Sequence, residues 1–359
     1  MACSVSSTGP FSEPFVEVAQ FDQLRDAVES EFEVEDGFIE HGIPTFYVRL
    51  QQDSKQAFLR LVKRLDATDF VPMLRKREEK VVLQVVRKPP VKPSRNMINI
   101  GLLFATLGTV FLSGYLPSLN IVDALMFTGA IMAILGSHEM GHKLLADKHA
   151  VEATYPYFIP GLPPIGTFGA VIQQKSLPPN KDALFDVGFA GPVTGFIVSI
   201  IVTLIGVQLS VRVLEPPPGA VPWPYPNPIL FEWLFRFAVM FFPLSGTGDL
   251  ILVHPVVFAG WVGMIITMLN LVPVGMFDGG HVARGLVGRR AHRILSYLGI
   301  ILLAIIWYPM AFIALFLSFS QHPGPLDDVS QPTTLRRLAA FGLIAVFILC
   351  AAPIYPLLG

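Results

Sequence analysis

The sequence predicts a polytopic α-helical membrane protein, with about six transmembrane helices preceded by a small soluble α+β domain. Three observations carry that expectation. The 359 residues are 52% hydrophobic and only 15% charged, where an average soluble domain is roughly 25% charged. The charge is also unevenly placed: residues 1–95 hold 14 Lys/Arg and 15 Asp/Glu, and the remaining 264 residues carry 24 of the 53 charges. Beyond that charged quarter, apolar runs of spanning length recur. The expected boundary leaves a soluble domain over 1–93 and a transmembrane domain over 94–359.

In the soluble part, IPTFYVRL (43–50) alternates as a strand does. SKQAFLRLVKRLD (54–66) sets Phe58, Leu61, Val62 and Leu65 at helical spacing,. FVPMLRKR (70–77) and KVVLQVVRK (80–88) read as two more strands joined at Glu78-Glu79,. The resulting β-α-β-β unit, with an acidic lead-in before it, carries no catalytic pattern, and His41 reads as a surface residue. PPVKPSR (89–95) reads as a stiff linker into the membrane,.

Runs long enough to span follow at 98–118, 121–146, 187–211, 254–274, 294–318 and 338–358, each meeting the requirement of roughly 20 residues. The shorter stretch 226–243, broken by Glu232 and Arg236, reads as interfacial or re-entrant. Six spans with the N-terminus inside gather twelve Lys/Arg at cytoplasmic ends and leave four (Arg212, Arg236, Arg336 and Arg337) at outer ends. That asymmetry favours a cytoplasmic N-terminal domain.

Within the second of these runs lies His138-Glu139-Met140-Gly141-His142. Two histidines four apart share one helix face and can reach a single metal ion, with the glutamate between them available as a base. The pattern points to one zinc ion per chain. Catalytic zinc sites usually show three protein ligands. The best third candidate is Asp278, in NLVPVGMFDGGH (270–281). An ionisable side chain at membrane depth normally needs a partner. Pro273, Gly275, Gly279 and Gly280 break the helix around it, and irregular backbone at that depth is tolerated only beside protein or a wet cavity.

With these residues in hand, the chain resembles the site-2 proteases, the intramembrane zinc metalloproteases marked by HExxH in one span and NxxPxxxxDG in another. Here these are His138 to His142 and Asn270 to Gly279, with Phe277 where leucine commonly precedes the aspartate. GTFGAVI (166–172), FDVGFAGPVTG (185–195) and HPVVFAGWVGMIITMLN (254–270) are also family-like. The likeness is strong over about 97–293 and follows the archaeal and plastid-type branch without a PDZ domain. It implies regulated proteolysis of single-span membrane proteins in the lipid bilayer. It also implies Glu139 as general base, and Asn270 as the group that holds substrate backbone or the oxyanion.

Other polar residues have plainer readings. His281 reads as an outer contact to the metal site rather than a fourth ligand. His149 and His254 are polar rings at span ends, and Asp186 and Arg284 anchor helix ends. PPIGTFGAVIQQKS (163–176) suits a short hairpin beside the site, whose free edge would pair with a locally unwound substrate,. Two cysteines, Cys3 and Cys350, offer neither a disulfide framework nor a thiolate zinc site,. A net charge of −1 gives no hint of nucleic-acid binding. The opening MACSVSSTGPFSEPFVE lacks a basic region and an apolar core, so neither a cleaved signal nor a transit segment is expected. A prokaryotic cell membrane is therefore favoured over a plastid. The rival readings are a membrane metal transporter and an inactive metal-binding relative. The lack of evident inverted repeats argues against the first. Retention of Glu139, which is not needed to hold zinc, argues against the second.

Overall fold

The computed structural model describes residues 18–89, 96–218, 223, 225–306, 308–318 and 322–351. The described residues divide into two compact units, one within 1–91 plus Leu326–Ser330, the other within 92–325 plus 331–359. Most of the expected linker, 90–95, lies outside the described residues.

The first unit runs α1 (Val18–Glu29), β1 (Glu33–Glu40), β2 (Ile43–Arg49), α2 (Ser54–Leu65), β3 (Phe70–Arg77), β4 (Lys80–Arg87). The strands form one antiparallel sheet in the order β1-β2-β4-β3. Phe46, Leu83 and Leu74 are buried in the sheet, and Phe58 and Leu61 of the amphipathic α2 are buried with them. The acidic lead-in, which the sequence reading left without elements, is α1 and β1. Acidic side chains on β1 hide its strand character, and Arg49 neutralises Glu33 and Glu35 from the neighbouring strand. His41 and Gly42 make the tight turn between β1 and β2, both at positive φ, the geometry a two-residue hairpin loop requires. Residues 326–328 add to the β3 edge: the Leu74 N–H donates to the Leu326 carbonyl, and the Asp328 N–H to the Leu74 carbonyl.

The second unit opens with α3 (Asn96–Ser118) and α4 (Ile121–Lys148), followed by β5 (Tyr157–Pro160) and β6 (Thr167–Val171). Then come α5 (Lys181–Leu209), β7 (Val211–Val213), α6 (Ile229–Phe241), β8 (Ser245–Gly246), β9 (Leu250–Leu252) and α7 (Pro255–Leu271). It closes with α8 (Asp278–Leu286), α9 (Arg289–Ile306), α10 (Tyr308–Ser318) and α11 (Thr334–Cys350). Among the described residues, α3, α4 and α5 are long and apolar enough to cross a membrane. The fourth expected span is α7, whose 17 residues reach about 25 Å at 1.5 Å per residue. The stretch 226–243 contains the 13-residue α6.

The expected fifth span, 294–318, is corrected by the structure. It is two helices, α9 and α10, packed on one another. His322, just past α10, returns to within 2.8 Å of His281 on α8. The chain therefore re-emerges at the end it left, α9 ending at Ile306 and α10 beginning at Tyr308. Arg336 at the start of α11 confirms the return by pairing with Asp182 and Asp186 at the start of α5. Arg336 and Arg337 thus belong with the basic residues of the α4 C-terminus rather than at the outer ends where the sequence reading put them.

Helix α5 is the centre of this unit, packed against α4, α7 and α8. Small residues make that possible. A Cβ on Gly260 would stand 2.2 Å from Thr203 Oγ1, and one on Gly263 would stand 2.1 Å from Ser199 Oγ. Such close backbone approach is how helices associate where lipid removes the hydrophobic drive. The outward faces stay apolar, as Ile197, Ile201 and Ile205 illustrate on α5.

Candidate metal centre

His138 and His142 lie one turn apart on the inner face of α4, both buried. Counting back from Lys148, they sit about 15 and 9 Å, respectively, along the axis from the basic end of the helix,. Asp278 reaches them from the first residue of α8. The expected break is present: α7 ends at Leu271, Gly275 takes a φ of +46°, and α8 begins at Asp278. Gly279 allows the reversal, since a Cβ there would meet the Leu271 carbonyl oxygen at 2.2 Å.

The three side chains converge. His138 Nε2 is 3.1 Å from His142 Nε2 and 3.1 Å from Asp278 Oδ2. His142 Nε2 is 3.2 Å from Asp278 Oδ1. Among the described residues, His138, His142 and Asp278 form the one group of three with metal-ligand atoms this close together. Around zinc with bonds of about 2.0–2.1 Å, tetrahedral ligands are separated by about 3.3 Å, so these spacings fit the ion. The tautomer fits as well. His142 Nδ1–H donates to the Val187 carbonyl at 2.7 Å, which leaves the Nε2 lone pair facing the centre. An outer hydrogen bond of this kind is what orients a metal-ligating histidine.

Helix α5 supplies the room for both rings. A Cβ on Gly191 would stand 2.0 Å from His142 Nε2, and one on Gly195 would stand 3.1 Å from His138 Nδ1. These glycines, four apart, and the Val187 carbonyl are parts of the site that the sequence reading did not assign. The signal was the i, i+4 spacing inside FAGPVTG.

Glu139 is buried beside the triad, with the backbone of Ile172, the residue after β6, facing it. The Asn270 amide nitrogen lies 3.3 Å from His138 Nε2, so all five expected site residues meet at one place. The expected hairpin is present with a different partner: β6 pairs with β5, Tyr157 opposite Val171 and Ile159 opposite Gly169. Pro156 and Pro160 had hidden β5 in the sequence. His281 is engaged away from the triad. The Gly324 N–H donates to His322 Nδ1, and His322 Nε2 therefore donates to His281 Nδ1. His254 caps α7 and lies 3.4 Å from Asp123.

The model of peptidase family M50 matches residues 126–312. The "Probable zinc metalloprotease EGY1, chloroplastic" of Oryza sativa subsp. japonica is 31% identical over 243 residues, covering 65% of this chain and 41% of that protein. The protein of the same name from Arabidopsis thaliana is 33% identical over 172 residues, covering 47% and 30%. The "Probable zinc metalloprotease EGY3, chloroplastic" of Oryza sativa subsp. indica is 28% identical over 284 residues, covering 72% and 47%. The chain therefore spans less than half the length of these curated relatives. No solved structure matches it.

Proposed function

Because the chain belongs to peptidase family M50, we propose that it is an intramembrane zinc metalloprotease, hydrolysing peptide bonds within or near transmembrane helices of membrane proteins. The observation that carries this reading is the convergence of His138, His142 and Asp278, at spacings that suit zinc, with a buried Glu139 beside them. Zinc held by these three side chains supplies a Lewis acid that polarises a peptide carbonyl and acidifies the attacking water. Glu139 carries the proton: its carboxylate takes it from that water and returns it to the leaving amine. The Asn270 amide donates to the carbonyl oxygen as negative charge develops there.

A helical substrate hides its carbonyls in i→i−4 bonds, so the scissile segment has to unwind. The outer edge of β6 has no strand partner among the described residues, and Phe168 and Val171 are exposed on that strand. An unwound segment adds there as a third strand, next to Ile172 and hence to Glu139. Single-span proteins with a weak helix are the substrates this suits. The basic residues of the second unit at the metal-centre end, Lys143, Lys148, Arg336 and Arg337 among them, support an orientation with that end toward the cytoplasm of a cell membrane. Cleavage of a model single-span substrate by purified protein in detergent, beside Glu139→Gln at measured zinc content, tests the proposal. Cleavage by both or by neither at full zinc occupancy would count against it.

A further inference from the structure

Four charged or polar side chains outside the triad meet on the first turns of α5. Arg336 Nε and Nη2 bind Asp186 as a fork, at 2.7 and 2.5 Å. Its third nitrogen, Nη1, lies 3.2 Å from Asp182, one turn earlier. His149, the residue that caps the C-terminus of α4, reaches the same Asp186 at 2.9 Å. The Thr333 backbone N–H donates to Asp182 at 3.0 Å. All four side chains are at least three-quarters buried, where a bidentate guanidinium–carboxylate pair is both strong and directional.

The residue after Asp186 is Val187, whose carbonyl receives the His142 Nδ1–H. The Val187 side chain is itself buried against Ala146 and Val151. Helices α4 and α5 are therefore registered at two neighbouring points, His142 to Val187 and His149 to Asp186. Arg336 holds the α5 side of both from the start of α11. Within the metal-centre reading proposed above, on which this step rests, we infer that Arg336 is a positioning residue for the zinc site. By clamping Asp186 and Asp182 it fixes the turn that presents the Val187 carbonyl, and so the orientation of His142 Nε2. A lysine cannot reproduce the fork, because its ammonium is a single point of charge.

The test is the rise in melting temperature that zinc produces, measured for wild type, Arg336→Ala, Arg336→Lys and Asp186→Asn in detergent at one free zinc concentration. That rise reports zinc affinity apart from baseline stability, because only binding to the folded state contributes to it. A merely structural clamp lowers the melting temperature with and without zinc by the same amount and leaves the rise unchanged. The positioning role shrinks the rise, with zinc affinity down on the order of 10-fold in Arg336→Ala and Asp186→Asn, in keeping with outer contacts to metal ligands, and by less in Arg336→Lys. An unchanged rise in all three variants, with wild type responding normally, would overturn the inference and leave the metal centre standing. Wild type showing no rise would overturn the metal-centre reading and this one with it.

Discussion

Gly191 on α5 lies so close to His142 on α4 that a Cβ built on it would stand 2.0 Å from the ring Nε2. That distance is far inside any van der Waals contact, and the neighbour is the ring atom that faces His138 and Asp278 rather than the loose end of a flexible chain. Gly191→Ala therefore has to rotate the imidazole or part the two helices. Zinc affinity should fall by about 100-fold or more, at least the loss seen when outer contacts to a metal ligand are removed. Gly342→Ala, where an added Cβ meets nothing within 4 Å, should leave zinc content unchanged. Zinc per chain in the two purified variants checks this.

The return of the chain at His322 makes a topological prediction. In a background without native cysteines, single cysteines at Gln331 and Ala150 should react with a membrane-impermeant maleimide from the same side, and one at Leu214 from the opposite side. A single span over 294–318 would instead put Gln331 with Leu214.

The hairpin supplies a third test. Proline at Phe168 or Val171 removes a backbone N–H from β6 while leaving the triad untouched. Cleavage should drop by an order of magnitude or more with zinc content unchanged. Normal turnover in both variants would mean that β6 merely covers the site.

How much of this was legible in the sequence depended on whether a residue acts through its own chemistry or through its neighbours. His138, Glu139, His142 and Asp278 could be read because metal-ligand and base chemistry need those residue types, and because ionisable groups are costly at membrane depth; Asn270 could be read only through the family resemblance. The break around Asp278 was visible in Pro273, Gly275, Gly279 and Gly280. What Gly191 and Gly195 do could not be read, since a glycine's role there is the space it leaves for a side chain on another helix. The Val187 carbonyl was hidden too, because any residue has one. The α9–α10 turn was missed because an apolar run looks alike whether it crosses once or doubles back. In the first unit, Glu33, Glu35 and Glu40 masked β1, whose strand character comes from pairing with β2 rather than from its own composition,.

The measurement that bears most directly on the central claim is cleavage of a single-span substrate by wild type and Glu139→Gln, with zinc quantified in both. Glu139 is not among the three converging side chains, so the variant should hold as much zinc as wild type. Its cleavage rate should fall by about 10²–10⁴-fold, the usual contribution of a general acid–base group. Wild-type proteolysis by a fully zinc-loaded Glu139→Gln would contradict the account.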